Sequence, residues 1–487
     1  MHISQLEKIQ RREFLRRAAA LGIAGSAGPL ALSLSAMGEA SAQTANDYKA
    51  LVCIFLYGGN DHDNTFIPFD STSHSIYKGF RDVGDDLANR IYWDNNVTAP
   101  SKKLIPLSTQ IGTRQYAVQP VMSDLASLFE SGKMGVMLNV GTLLKPTTKA
   151  NYTEAGTGDL PPKLFSHNDQ FSLWQSAVTD GAEGSIKGWG GRLGDIFLRS
   201  GGENSDAHFT CINASGNAVF MSGSSVLPYQ VSKNGPVTIN SIGNDLSVYQ
   251  RASCKTALNQ ILTSSSSPTT HWMEQEWMRV LKSSLDNQTK VTNGISTVSM
   301  STTFQTDTLS AQLNIIAKLI AAGAANSSSI GVKRQVFFAS LGGFDLHDNL
   351  MANHSKLLKN VNDAMNSFYL ATKELSLENQ VTTFTASDFG RTLSSNGDGS
   401  DHGWGSHHMV MGGAVDGKKF WGKAPVLADN YTDTVGQGRL LPSTSVDEFA
   451  ASMARWMGVS DSDLNTVLPN YAKFSSQTLP LFKPIIT

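Results

Sequence analysis

Cysteine is nearly missing from this sequence, with three residues in 487. Cys53 sits inside an apolar run and reads as a buried thiol, while Cys211 and Cys254 could pair in an oxidising compartment. An odd count argues against a disulfide framework. No Cys-x-x-Cys spacing occurs, which argues against a thiolate-held zinc. Charge is scarce too, at 16% of residues with a formal net charge of -2. The basic footprint of a nucleic-acid binder is therefore lacking, and no nucleic-acid partner is expected. Haem, iron–sulfur and dinucleotide signatures are also missing, which argues against a redox cofactor. Beyond the N-terminal segment no run is long and apolar enough to cross a bilayer, so no membrane span is expected in the mature form.

The N-terminus carries the first positive signal. Arg11-Arg12-Glu13-Phe14-Leu15 is followed by Arg16 and Arg17, then by a mildly apolar stretch from Ala18 to Met37, then by Ala40-Ser41-Ala42. A basic region, an apolar region and a small-x-small cleavage site describe a removable signal, and the paired arginines select the twin-arginine variety. The expectation is a signal peptide over 1–42, cut after Ala42, with the twin-arginine export machinery as partner. A periplasmic or secreted protein, folded before export, follows. Residues 43–487 would then supply one large domain or two modest ones.

Periodicity points to an α/β fold with a mainly parallel central sheet and helices on both faces. Ala50 to Tyr57 is a continuous apolar run, read as a buried strand, and it stops at Gly58-Gly59-Asn60-Asp61. Met134 to Val140 reads as a strand after a helix-like Val121 to Glu130. Gln335 to Leu341 ends in Gly342-Gly343-Phe344-Asp345, and Gln380 to Ala386 ends in Ser387-Asp388-Phe389-Gly390. Between the last two, Asn353 to Glu374 has helical spacing, which makes a βαβ unit. Three strands thus end in an aspartate, where sites form in open α/β sheets. Residues 201–300 are rich in Ser, Asn and Gly and read as an insertion of short strands with one helix, His271 to Leu285. Val446 to Met457 reads as a helix marked at both ends, with acids in its first turn and Gly458 after it.

Eleven histidines occur, and five of them fall between 347 and 408: His347, His354, His402, His407 and His408. Asp388 and Asp401 share that window, and Asp345 stands two residues before it. Imidazoles and carboxylates without thiolate suit zinc, manganese or iron in hydrolytic catalysis. A single strand-end aspartate is as often a turn residue or helix cap. Ser166 and His167 open a helix-like segment, Asp169 to Ala177. Ser166 is either a nucleophile or an N-cap. His167 is a general acid or a ligand. Arg391 is a fixed cation for a phosphate or sulfate oxygen, or the partner of a structural carboxylate.

The order of several strings resembles a known family. These are Gly58-Gly59-Asn60-Asp61…Asn64, Ser166-His167…Trp174, Gly343-Phe344-Asp345-Leu346-His347, Ser387-Asp388-Phe389-Gly390-Arg391-Thr392 and Asp401-His402-Gly403-Trp404-Gly405. Leu440-Leu441-Pro442 through Trp456-Met457-Gly458 to Leu468-Pro469-Asn470 completes the set. They look like a bacterial family of twin-arginine-exported proteins known mainly as a domain of unknown function, placed in the alkaline phosphatase-like superfamily. That resemblance implies a two-metal hydrolase core, with zinc or manganese as the divalent ion, acting on a phosphate or sulfate ester of a small molecule or glycan. Asp61, Asp345, His347, Asp388 and Asp401 would be metal ligands, with His402 or His407 supplying a further imidazole, and Ser166, His167 and Arg391 would be catalytic. The pattern departs from the superfamily in two places. Asp345 and His347 are two apart where phosphatases often use four, and Phe389 follows Asp388 where a histidine is usual. No Cys-x-Pro-Ser-Arg string is present, which argues against a sulfatase that matures its cysteine. A non-catalytic binding or assembly protein on the same fold is the competing expectation.

Overall fold

A computed structural model of the chain describes residues 48–487, apart from 84–89, 98, 156–158, 179–185, 200, 238–255, 258–259, 263–270, 326–329, 331, 475–477 and 485–487. The signal-peptide reading and Cys254 lie outside the described residues. Tyr48–Thr487 is one compact unit.

The core is a ten-stranded sheet. In spatial order its main strands are Phe420–Trp421, Met134–Gly141, Ser406–Met411, Val381–Ser387, Lys49–Leu56, Arg334–Leu341, Cys211–Asn213 and Tyr229–Ser232. Pairing is mostly parallel. Ser406–Met411 runs antiparallel to both of its neighbours.

Both faces of this sheet are covered, and the first strand shows why its sequence is continuously apolar. Ala50, Val52, Ile54 and Leu56 pack on one side with the helices Ser123–Glu130, Thr308–Ala324 and Leu350–Glu374. Leu51, Cys53 and Phe55 pack on the other with His167–Ser176, Trp189–Leu198 and Val446–Met457. Alternation along the pleat sends successive side chains to opposite cores. Each fully buried Leu, Ile or Phe contributes about 1.5–3 kcal/mol. Local signals set the ends of the helices. The Asp307 carboxylate caps Thr308–Ala324 by accepting from Ser310 N–H at 3.0 Å. Ser445 and Glu448 form a reciprocal capping box on Val446–Met457, and Gly458 closes that helix at φ 105°.

The insertion reading changes in detail. Cys211–Asn213 and Tyr229–Ser232 extend the central sheet beside Arg334–Leu341. Val219–Met221 is a 3-10 turn, and the long helix runs over Trp272–Ser296. Cys53 and Cys211 are free, buried thiols. Among the described residues no helix is long and apolar enough to cross a membrane.

Register fixes the position of the site. Leu56 lies beside both Leu341 and Ser387. Three parallel strands therefore end level and deliver Gly58, Asp345 and Asp388 to one edge of the sheet.

Candidate metal centre

The glycine pair after the first strand lets this edge close. Gly58 has φ 114°, and a Cβ on it would stand 2.3 Å from the Asp345 backbone nitrogen. Gly59 has φ 83°, and its Cβ would meet the Phe389 ring at 2.6 Å. Only glycine tolerates both constraints. The turn then works as a clamp. Gly58 N–H donates to Asp388 Oδ2 at 3.1 Å, and Gly58 C=O accepts from Arg391 Nη1 at 3.2 Å.

Three imidazoles converge in front of it. His402 Nε2 lies 3.1 Å from His167 Nε2, 2.9 Å from His347 Nε2 and 3.1 Å from Asp345 Oδ1. His347 Nε2 is 3.0 Å from Asp345 Oδ1, and His167 Nε2 is 3.4 Å from Asp345 Oδ2. Asp345 and His347 reach the same point because Leu346 between them turns the other way, into the core. His167, Asp345 and His402 satisfy the geometry of a group able to hold a metal ion.

The far side of each ring is tied to an oxygen. His167 Nδ1 is 2.7 Å from Asp388 Oδ2, His402 Nδ1 is 2.7 Å from Phe165 C=O, and His347 Nδ1 is 3.2 Å from Asp401 Oδ1. Carboxylates and carbonyls accept, so a proton held at each Nδ1 would leave each Nε2 lone pair for an ion. This is the outer shell that orients histidines around a metal. Asn396 Nδ2 donates to Asp401 Oδ1 at 2.7 Å and steadies that carboxylate. Phe165 reaches its position at φ 71°, in the left-handed region that a bulky residue avoids.

Contacts and burial shift these groups in opposite directions. Burial works to raise the Asp345 pKa, but the Arg391 hydrogen bond and charge outweigh it and hold the carboxyl below its ordinary range. Arg391 Nη1 donates to Asp345 Oδ1 at 2.6 Å, and the guanidinium is fully buried. The hydrogen bond to Asp388 raises the His167 pKa against the opposing effect of burial. Burial lowers that of His402, only partly offset by Phe165 C=O. The Phe389 ring lies 4.8 Å from both the His167 and His402 rings and forms an apolar wall beside them. Asp345 and His347 are 43% and 44% exposed at the side chain, so the centre opens to solvent on one side.

Two expected ligands lie elsewhere. Asp61 is 1% exposed and is held by Arg81, at 2.6 Å and 2.9 Å, in a two-pronged ion pair. Burial would raise its pKa, yet Arg81 brings it down to about 2. His407 belongs to the buried strand Ser406–Met411, where its Nδ1 accepts from Asn139 N–H at 3.1 Å. Burial and the nearby His62 depress its pKa. Asp388 and Asp401 stand behind the rings, on their Nδ1 atoms. Ser166 Oγ donates to Asp169 Oδ2 at 2.8 Å within the first turn of the helix. Nothing in the sequence marks Arg81, Phe165 C=O or Asn396 as partners. The Ser387-Asp388-Phe389-Gly390 turn was visible, but the role of Phe389 was not.

Residues 48–468 match the family described as "Protein of unknown function (DUF1501)". The chain belongs to this family. No curated protein matches the DUF1501 chain at a significant level. Among solved structures it is similar to the PsFucS1 sulfatase from Pseudoalteromonas sp., at 10% identity and TM-score 0.33, over 90% of this chain and 73% of that one. It is also similar to the lipoteichoic acid synthase LtaP from Listeria monocytogenes, at 7% identity and TM-score 0.33, over 89% and 76%. A protein in the alkaline phosphatase superfamily from Vibrio parahaemolyticus matches at 9% identity and TM-score 0.30, over 85% and 67%.

Proposed function

We propose that this DUF1501 protein is an exported, metal-dependent hydrolase of a phosphate or sulfate ester, with an alkaline phosphatase-like core, carried out of the cytoplasm by the twin-arginine route. The observation that carries the reading is the convergence of His167, His347 and His402 Nε2 on Asp345, with every Nδ1 anchored to an oxygen. Three nitrogens and one carboxylate fit a divalent ion. That donor set favours zinc over manganese, which prefers oxygen. The reading assigns one ion, where the family resemblance suggested two, because Asp61 is committed to Arg81 and His407 to the Asn139 backbone.

A divalent ion held there supplies Lewis-acid polarisation of an ester oxygen. Arg391 keeps Asp345 ionised and is spent on that task. Asp388 and Asp401 fix the tautomers of His167 and His347. Phe389 keeps water off one side of His167 and His402. With the Ser166 hydroxyl engaged by Asp169, water is the nucleophile in this reading. It adds to phosphorus or sulfur, the bond to the ester oxygen breaks, and a proton from the attacking water passes to the departing oxygen; a monoester gives an alcohol and inorganic phosphate or sulfate, and a phosphodiester gives an alcohol and a phosphomonoester.

The test is a screen of phosphomonoesters, phosphodiesters and sulfate esters with the metal-loaded protein. Turnover that disappears in His402→Ala and persists in Ser166→Ala supports the reading. Turnover unchanged in His402→Ala, or no turnover of any ester class by protein carrying a full complement of metal, refutes it.

A further inference from the structure

Arg391, the cation that the sequence suggested for substrate, is not available for it. A second guanidinium stands at the rim of the centre. Arg439 leaves the tight hairpin Thr434–Leu440, whose turn residues Gly436, Gln437 and Gly438 all have positive φ. Its Nε donates to His402 C=O at 2.7 Å, and Nη1 donates to Gly436 C=O at 3.3 Å. The guanidinium stacks on the Phe165 ring, 4.8 Å from its centre. Phe165 and His402 are therefore shared: the carbonyl of the first orients the second, and both hold Arg439.

Among the described residues no carboxylate pairs with Arg439. The other guanidiniums near the sheet edge do have such partners: Arg81 has Asp61 and Arg391 has Asp345. A half-buried arginine fixed at Nε and stacked on a ring, with its outer Nη2 group unclaimed, is pre-organised for an anion. Charge balance narrows which anion. Asp345 pairs with Arg391, Asp401 and Asp429 act on Arg439, and with Asp388 behind His167 a divalent ion would leave the centre without net charge. At its edge Lys163 and Asp169 offset one another at 3.6 Å.

We infer that Arg439 holds an anionic oxygen of the substrate and that the substrate is a singly charged ester, either a sulfate monoester or a phosphodiester. The inference rests on the metal centre proposed above. Here Arg439 acts on the non-reacting oxygen of a tetrahedral group, and the acidic residues beside it turn away the second charge of a phosphomonoester.

The experiment uses the full chain loaded with zinc. Metal content is measured first, before any anion is added. Isothermal titration calorimetry at pH 8 then compares methyl sulfate, dimethyl phosphate and methyl phosphate as ligands of the parent, Arg439→Gln and Arg439→Lys. The expected result is tighter binding of dimethyl phosphate than of dianionic methyl phosphate by the parent. Arg439→Gln should keep the metal and lose affinity for methyl sulfate and dimethyl phosphate by about tenfold or more, the scale of one charge-assisted hydrogen bond. Arg439→Lys should recover part of that loss. Parental anion affinity in Arg439→Gln overturns the inference. So does loss of metal in that variant, which would make Arg439 a strap on His402, and so does preference for methyl phosphate. A parent that takes up no metal overturns the metal centre itself, and the metal content alone reveals that failure.

Discussion

His347 Nε2 and His402 Nε2 face each other at 2.9 Å. The Nδ1 of each ring faces an acceptor, Asp401 for His347 and Phe165 C=O for His402. Two lone pairs at that separation repel unless a cation lies between or beside them. In the proposed centre a divalent ion on both Nε2 atoms would make this arrangement favourable, with Phe165 in the left-handed region and a buried Asp388 holding the rings.

The division between direct donors and outer-shell carboxylates has a measurable consequence. Asp388→Asn and Asp401→Asn should each weaken zinc affinity about 10–100-fold without abolishing binding, because they act through an imidazole. His402→Ala should remove binding altogether. Competition titration with a chromophoric chelator measures all three, and equal losses in the three variants would contradict the division.

Asp61 gives the opposite pattern. It pairs with Arg81 in the interior, so Asp61→Asn leaves a buried guanidinium short of its partner. A loss of about 3–5 kcal/mol is expected in denaturant unfolding, with zinc stoichiometry unchanged at low temperature. Loss of zinc with stability intact would restore Asp61 as a ligand.

The elements were easier to read from the sequence than the site. The strands Lys49–Leu56 and Arg334–Leu341 and the helix Val446–Met457 announce themselves by continuous apolar runs or marked ends. Chain order also made the aspartates at strand ends visible as a group. Sequence could not divide them. Asp61 and Asp388 look alike as strand-end acids, and only the return of Arg81 from the end of the helix Ser71–Arg81 claims the first. His407 looked like a ligand because it neighbours His402, but it lies in a strand that enters the sheet antiparallel. A carbonyl acceptor such as Phe165 has no side-chain signature at all.

Gly58 tests how tightly the turn is built. Gly58→Ala places a methyl 2.3 Å from the Asp345 nitrogen at a φ that alanine avoids. The variant should lose about 2 kcal/mol or more of stability and bind zinc at least tenfold more weakly, as followed by thermal melts with and without the ion. Parental melting and zinc affinity would show that the turn has room to adjust.

A pH effect is expected far from the metal centre. Asp447 is 2% exposed, its Oδ1 has no partner among the described residues, and burial pushes its pKa up to about 7, only partly offset by its own backbone N–H and Arg192. A carboxyl whose folded pKa lies above its unfolded value favours the folded state most below the unfolded pKa. That contribution is lost as pH rises from about 4 to about 7. Asp447→Asn should therefore raise the melting temperature relative to the parent at pH 8 more than at pH 5. An equal shift at both values would show that Asp447 stays ionised in the folded protein.

The most direct measurement is the zinc content of the purified full chain and of His402→Ala, by elemental analysis, joined to X-ray absorption at the zinc edge. One ion per chain, a first shell of about three imidazole nitrogens with carboxylate oxygen, and no ion in His402→Ala is the expected result. A parent that takes up no divalent metal, or a His402→Ala variant that binds it as the parent does, would contradict the metal centre.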